Sequence, residues 1–354
     1  MVEKVLLTGA SGYIALEILY QLHEQGQYQV RGTVRDVANE EKCRPIREVY
    51  PNPKYPVELV KADLTSDEGW AEAVTGVSYI LHTASPVIMN VQNEDDLMIP
   101  AREGTLRVLR AAAKEPSVKR VIFTSSLVAV GWHSHNSNEY VNGPDDWSDV
   151  FPDPYYKSKT LAEKAAWDFV KENKENQFEL CTINPALVVG RFRGSVSASL
   201  KLVGNIATGK LSFLPPVGTP LVDVEDVGAA HVSAITNGVP GQRYLVVDGS
   251  AWVADIAEVC RAELGSLGYT KIPSHKPPYF LVKLLSFFAA DAASAVRSWN
   301  TNPLFDNSVT KQHLGVQFHD WREALVSALH CMIADGEIPA TEAYKAKYPE
   351  AIKA

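Results

Sequence analysis

The sequence is poor in cysteine: Cys43, Cys181, Cys260 and Cys331 are the only four in 354 residues. They lie far apart, with no Cys-x-x-Cys or Cys/His ligand spacing, which argues against a disulfide framework and a zinc site. They read as reduced thiols, and no metal site is expected. Basic residues are also short, 34 Lys and Arg against 42 Asp and Glu, for a net charge of −8. A sequence-independent attraction to nucleic acid or to an anionic membrane surface gets no support, so any bound anion must meet a local site. There is no membrane-length apolar run: the longest, residues 278–296, is broken by Lys283 and Asp291. Met1-Val-Glu-Lys4 leads into no signal-type apolar stretch, so a cytoplasmic location is expected.

What is present is ordinary globular material, 46% hydrophobic and 21% charged, enough for one large α/β unit or two joined domains. Short apolar, β-branched runs at residues 4–8, 29–34, 58–61, 79–84, 120–124 and 180–184 alternate with helix-length amphipathic segments at 16–24, 97–113 and 155–171. This rhythm predicts an α/β fold with a doubly wound parallel sheet and helices on both faces. After Gly190 the pattern loosens into Gly/Ser-containing sequence and a Pro/Gly cluster at 214–220, then resumes with a strand at 243–247 and a helical C-terminal third. The expected division is a nucleotide-binding domain of residues 1–190 and 221–250, interleaved with a smaller substrate domain of residues 191–220 and 251–354.

Gly9, Gly12 and the small Ala15 stand directly between the first apolar strand and the first helix. A dinucleotide needs this arrangement: the first glycine makes the tight turn, the second admits the pyrophosphate to the backbone, and the third small residue lets helix and strand approach. The helix start, with Ser11, Tyr13 and Ile14, then offers N–H groups and a positive dipole end to phosphates. This is the Rossmann arrangement.

The end of the second strand discriminates between dinucleotides. An acid there serves the ribose hydroxyls of NAD, whereas this strand ends in Arg35, a residue suited to a 2′-phosphate, with Lys42 in reach from the next turn. NADP(H) is therefore the expected cofactor, although Asp36, pointing to the opposite side, leaves some use of NAD open. Asp63 and Leu64, just past the third strand, stand where an adenine would lie; a helix N-cap is the competing role for Asp63.

Tyr155 and Lys159 are four residues apart, which stacks them on one helical face. A phenol with a pKa near 10 is a poor acid or base at neutral pH, and a fixed ammonium is expected to lower it. Tyr156 lacks such a partner, because its counterpart is Thr160. Upstream, an apolar strand ends in Ser125 and Ser126, where a doubly wound sheet keeps its active site. Ser126 is the choice for holding a carbonyl oxygen against Tyr155, with Ser125 as support, and a turn or N-cap is the competing role for either.

These motifs together resemble an extended short-chain dehydrogenase/reductase, most like the branch of dihydroflavonol reductases, cinnamoyl-CoA reductases and yeast methylglyoxal/aldehyde reductases. The similarity runs through Thr8-Gly-Ala-Ser-Gly-Tyr-Ile-Ala15, His82-Thr-Ala-Ser-Pro86, Pro100-Ala-Arg-Glu-Gly-Thr105, Phe123-Thr-Ser-Ser126, residues 155–167, Asn184-Pro-Ala-Leu-Val-Val-Gly190, Asp223-Val-Glu-Asp-Val227, and Asp306-Asn-Ser308 with Leu314-Gly315. The resemblance implies a Ser126/Tyr155/Lys159 triad, with Lys159 also holding the nicotinamide ribose. It implies cofactor contacts from Thr83, Ala84 and Ser85 and from Pro185 to Val188, and a 2′-phosphate site at Arg35 and Lys42. His133 and His135 stand where plant reductases carry other residues and are expected on a loop surface.

The expected activity is NADPH-dependent reduction of an aldehyde or ketone to an alcohol, with a small-molecule partner only and a monomer or homodimer as the assembly. Substrate contacts are expected from residues 85–89, 131–149 and 191–214 and from the helix near 280–288. Sugar-nucleotide epimerase/dehydratase and 3β-hydroxysteroid dehydrogenase chemistry on the same scaffold are the nearest alternatives. A non-catalytic NADP-sensing regulator is the alternative from another class.

Overall fold

The near-continuous apolar runs become buried parallel strands in the computed structural model, which describes residues 2–85, 94–134, 137–173, 178–194, 196–211 and 213–350. β1 Lys4–Thr8, β2 Gln29–Val34, β3 Glu58–Lys61, β4 Tyr79–His82, β5 Arg120–Thr124, β7 Glu179–Pro185 and β10 Arg243–Val246 form one seven-stranded sheet. Its order is β10-β7-β5-β4-β1-β2-β3, every pairing parallel. Val5, Leu6 and Leu7 of β1 are all fully buried, as expected for a central strand covered on both faces. The chain winds outward from β1 to β3, then returns to β4 and winds the other way. The carboxyl ends of β1 and β4 are thus the switch point, where such sheets hold their ligands.

Two helical layers cover the sheet. α1 Tyr13–Gln25 and α7 Val224–Asn237 lie on one face, while α3 Trp70–Val74, α4 Asp95–Lys114 and α5 Pro154–Glu172 cover the other. α2 Glu40–Glu48 follows β2. The local reasons are readable: α1 stops at Gly26, whose left-handed conformation lets its N–H bond Leu22 O, and α5 starts at Asp153, whose carboxylate accepts from Tyr155 N, with Pro154 as its first residue.

The apolar core beneath α1 and α7 continues into the C-terminal third, through α6 Ala198–Ala207, α8 Val253–Leu264, α11 Ser308–Leu314, α12 Trp321–Ala334 and α13 Glu342–Lys347. A second sheet, β8 Leu187–Val189, β9 Gly218–Asp223 and β11 Gly249–Trp252, begins only two residues after β7 ends. The apolar stretch at 278–296 is divided between α9 Tyr279–Leu285 and α10 Ala290–Arg297. Among the described residues no helix is long and apolar enough to cross a membrane. Finally β12 Leu304–Phe305 pairs with β6 Val141–Asn142, joining the C-terminal third to the loop after β5.

Candidate active site

The turn after β1 is built to leave backbone exposed to a ligand. Gly9 has φ +65°, a conformation that disfavours any side chain, and a Cβ there would press on Ala84 at 3.1 Å. Gly12 N donates to Gly9 O at 2.9 Å and Gly12 becomes the cap of α1. α1 has no side-chain cap and no acid in its first turn, so its positive end faces the crevice uncompensated. Tyr13 is buried and donates its hydroxyl to Gly190 O at 3.1 Å, and Ile14 packs against the core, which turns both side chains inward.

The turn is held by Thr8, Thr83 and Ala84, which the motifs contain, and by Thr33, which sequence reasoning overlooked. Gly9 N donates to Thr33 Oγ1 and Ala10 N to Thr33 O, both at 3.0 Å. Thr8 Oγ1 accepts from Ala84 N at 3.0 Å, and Thr83 Oγ1 donates to Thr8 O at 2.6 Å. β4 therefore ends at His82, not at Ala84, because residues 83 and 84 bond across to β1. Ser85 follows, partly exposed. His82 is fully buried, bonded through Nδ1 to Thr8 Oγ1 at 2.8 Å and stacked on Phe123; burial, with the Lys159 charge adding to it, pushes it down to about 3. The alternation of polar His82 and Thr8 inside apolar strands was the available signal.

Arg35 and Lys42 are exposed near the same end of the sheet. Lys42 lines a cavity of about 760 Å³ with Ser11, Arg44 and Arg193, and its ammonium lies 3.7 Å from Glu41. Asp63 accepts from Thr65 N and Thr65 Oγ1, each at 2.8 Å, which with the Arg35 and Arg107 charges holds its carboxyl below the usual range. It caps a turn, not a helix: α3 starts seven residues later, after Gly69. Leu64 packs against Gly104 of α4. An exposed cation pair beside an uncapped glycine turn fits a phosphorylated dinucleotide.

At the other side of the crevice the two serines separate. Successive strand residues face opposite ways, so Ser125 Oγ turns to Glu163 at 2.5 Å while Ser126 Oγ accepts from Val128 N at 3.3 Å and stands on the Tyr155 side, near enough to favour the ionised phenol. Lys159 Nζ lies 5.9 Å from the Tyr155 ring centroid. Three groups chosen for chemistry from the sequence thus converge on one point.

Their electrostatics correct one expectation. Tyr155 is not lowered: burial pushes its phenol up to about 12, outweighing the Ser126 hydrogen bond, and Asp153 adds to the rise. Desolvation is the cause, because a phenolate there would lose water without a neutralising partner of matching strength. Lys159 is pushed by burial down to about 8, with the Glu163 carboxylate partly holding it up.

Residues 5–246 match the model of the NAD dependent epimerase/dehydratase family. The chain belongs to that family. Among its relatives, a cinnamoyl-CoA reductase of Medicago truncatula is 35% identical over 286 residues, covering 78% of this chain and 85% of that protein. A dihydroflavonol 4-reductase of Arabidopsis thaliana is 32% identical over 270 residues, 73% of this chain and 69% of that one. The solved structure of a yeast methylglyoxal/isovaleraldehyde reductase, Gre2, complexed with NADPH is 27% identical, with a TM-score of 0.75 over 93% of this chain and 98% of that chain.

The walls around this family member's centre are aromatic. Trp132 is buried, edge-on to Tyr156 at 4.9 Å and tilted against Phe305 at 6.1 Å. His133 is not on the loop surface as expected: it is 5% exposed, and its Nε2 is 2.7 Å from Asn142 Oδ1, while Asn142 Nδ2 donates to Leu304 O at 2.7 Å. Asn142, which takes up the imidazole, is itself fixed by the pairing of β6 with β12, which no local pattern announces. His135 and residues 86–89 lie outside the described residues. On the far side, Pro185 ends β7, Ala186 and Leu187 stay partly exposed, and Val188 is buried in the core, so a contact from Val188 would use its backbone. In the segment 280–288, Phe280, Phe287 and Phe288 are roughly three-quarters or more exposed and face solvent.

Proposed function

We propose that the protein is an NADPH-dependent carbonyl reductase that converts an aldehyde or ketone to an alcohol. The observation that carries this is the convergence of the Ser126 and Tyr155 hydroxyls, backed by Lys159, at the carboxyl end of β5 across from the glycine turn. NADP(H), when bound, supplies the hydride. Gly9, Gly12 and the backbone at Ser11, Tyr13 and Ile14 hold the pyrophosphate, and Arg35 and Lys42 hold the 2′-phosphate. Asp63 and Leu64 flank the adenine, Thr83, Ala84 and Ser85 line the middle of the site, and Pro185 and the Val188 backbone stand beside the nicotinamide. The names of the yeast and Candida albicans Gre2 structures in complex with NADPH support the cofactor, and those of the methylglyoxal, cinnamoyl-CoA and dihydroflavonol reductases support carbonyl reduction.

Tyr155 starts protonated, as a donor must. With its hydroxyl pushed up to about 12, it loses its proton only to a stronger base, and an alkoxide is one, since an alcohol is a weaker acid than even this phenol. Proton delivery is thus coupled to the moment when negative charge develops on the carbonyl oxygen. Ser126 holds that oxygen in place, and Lys159, predominantly an ammonium at neutral pH, compensates the phenolate left behind and binds the ribose. Dehydratase chemistry would need an acid/base carboxylate just after Ser126, where the chain forms a short buried apolar turn, Leu127–Ala129. The division into a nucleotide domain of residues 1–190 and 221–250 and a substrate domain of residues 191–220 and 251–354 belongs to the same reading.

The test is to follow oxidation of NADPH and NADH across an aldehyde and ketone panel for wild type and Tyr155→Phe. The expected result is NADPH oxidation that Tyr155→Phe reduces by roughly a hundredfold or more. A full rate in Tyr155→Phe refutes the mechanism.

A further inference from the structure

Beneath Ser126, Tyr155 and Lys159 lies a second polar layer that the reaction above does not use. Glu163 follows Lys159 by four residues, as Lys159 follows Tyr155, so one face of α5 carries the three in a column. The Glu163 side chain is completely buried, and each neighbour donates to it: Ser125 Oγ at 2.5 Å, Asn184 Nδ2 at 2.8 Å, Thr182 Oγ1 at 3.2 Å and Trp167 Nε1 at 3.3 Å. Arg243 of β10 adds Nε at 2.7 Å and Nη2 at 3.3 Å. Arg243 also donates to Pro144 O at 2.8 Å and Asp146 O at 2.5 Å, and lies on the Trp147 ring at 3.8 Å. Asn184 divides its amide between Glu163 and Ser126 O, the latter at 3.2 Å.

Stability alone does not account for such a pair. Burying two charges costs about as much as their attraction returns, and apolar residues of equal volume often serve as well or better. What the carboxylate does uniquely is connect. Through Ser125 and Asn184 it grips the backbone on both sides of the Ser126 hydroxyl, and it supplies negative charge one helical turn below Lys159.

We propose that Glu163 is a positioning residue for the reaction, fixing Ser126 through Ser125 and Asn184 and keeping Lys159 in its ammonium form. This rests on the reading of Ser126, Tyr155 and Lys159 given above. The titratable and charged groups around Lys159 are Tyr155 and Glu163 on its own helix, His82 from β4 and, beyond Glu163, Arg243 from β10. His82 is neutral and Arg243 is a cation, so Glu163 is the anion of the set. Burial drives Lys159 toward its neutral form and Glu163 opposes it.

The two roles separate by variant. Glu163→Gln removes the charge, so the limb of the kcat profile that falls as pH rises through the Lys159 pKa should move to lower pH by about one unit. Glu163→Asp keeps the charge and should restore the limb. Asn184→Ala keeps the Glu163 charge but removes the tether to Ser126 and Glu163, along with the acceptor of the Thr182 hydroxyl; it should lower kcat about tenfold, leaving the limb and the NADPH dissociation constant in place. All are assayed with NADPH and the fastest carbonyl of the panel, alongside Tyr155→Phe. A wild-type limb in folded Glu163→Gln, or, should that variant not fold, a wild-type kcat in Asn184→Ala, overturns the proposal while Tyr155 dependence leaves the underlying reading intact. An inactive panel, or an active Tyr155→Phe, overturns both.

Discussion

Replacing Arg35 with alanine should separate two dinucleotides that differ by a single phosphate. Arg35 stands exposed at the carboxyl end of β2, and its charge is felt at Asp63 across the strand ends. A unit charge pair at about 4 Å is worth about 1 kcal/mol in water and about 4 kcal/mol near a protein surface, and an exposed guanidinium lies toward the lower value. A phosphate carries more than one charge and accepts two parallel hydrogen bonds, which raises the figure to about 2 kcal/mol, or roughly thirtyfold in the NADPH dissociation constant. NADH lacks the phosphate and should bind Arg35→Ala as it binds wild type. Lys42 must leave Glu41, 3.7 Å away, before it can serve the same phosphate, so Lys42→Ala should cost less, about threefold. The assay is fluorescence titration with both cofactors at low and high salt, the NADPH difference shrinking as salt screens it. Equal weakening of NADPH and NADH, or of neither, refutes the assignment.

Two further outcomes follow from buried groups. His82 and His231 are pushed by burial down to about 3 and about 4, below the usual 6.5, so the unfolded chain takes up protons before the folded one. Their stabilisation is complete above about pH 6.5 and is lost as pH falls toward those values, at roughly 2 kcal/mol per histidine between pH 7 and pH 5. Urea unfolding at both pH values measures this, and a slope unchanged by removing both imidazoles would count against it. At Gly131 a Cβ would stand 2.4 Å from the Phe305 ring. Gly131→Ala should therefore cost about 1–3 kcal/mol and raise the carbonyl KM while sparing NADPH affinity, and Phe305→Leu should relieve it. Weakened NADPH binding in that variant would contradict the separation of the two walls.

Much of this architecture is legible in the order of the residues alone, and the reason is locality. The bounds of β1, β2 and β5 follow directly from apolar runs, because a strand buried on both faces needs no partner to declare itself, and those of the edge strand β3 follow from the same kind of run. That Ser125 and Ser126 turn to opposite sides is strand alternation, again a local rule. The misses share the opposite character. Glu163 reads as one acid on an amphipathic helix until β10 brings Arg243 against it, eighty positions away. His133 reads as loop until Asn142, in the strand that pairs with β12, takes up its imidazole. The direction of the Tyr155 shift failed for the same reason: spacing shows that an ammonium is near, while only the packed fold shows how much water has been removed.

The pairing of β12 with β6 also orders events in time. The last strand of the main sheet ends at Val246, so every residue assigned to the dinucleotide has emerged from the ribosome by then. Trp132 and Asn142 are made early too, but the groups they lean on, Phe305 and Leu304, are synthesised only later; the Asn142–Leu304 bond spans 162 positions. At a synthesis rate of roughly 5–20 residues per second the nascent chain has a complete nucleotide side for several seconds before its carbonyl-facing wall can set. Closing so long a loop costs little more entropy than closing a short one, so the delay lies in manufacture, not in stability.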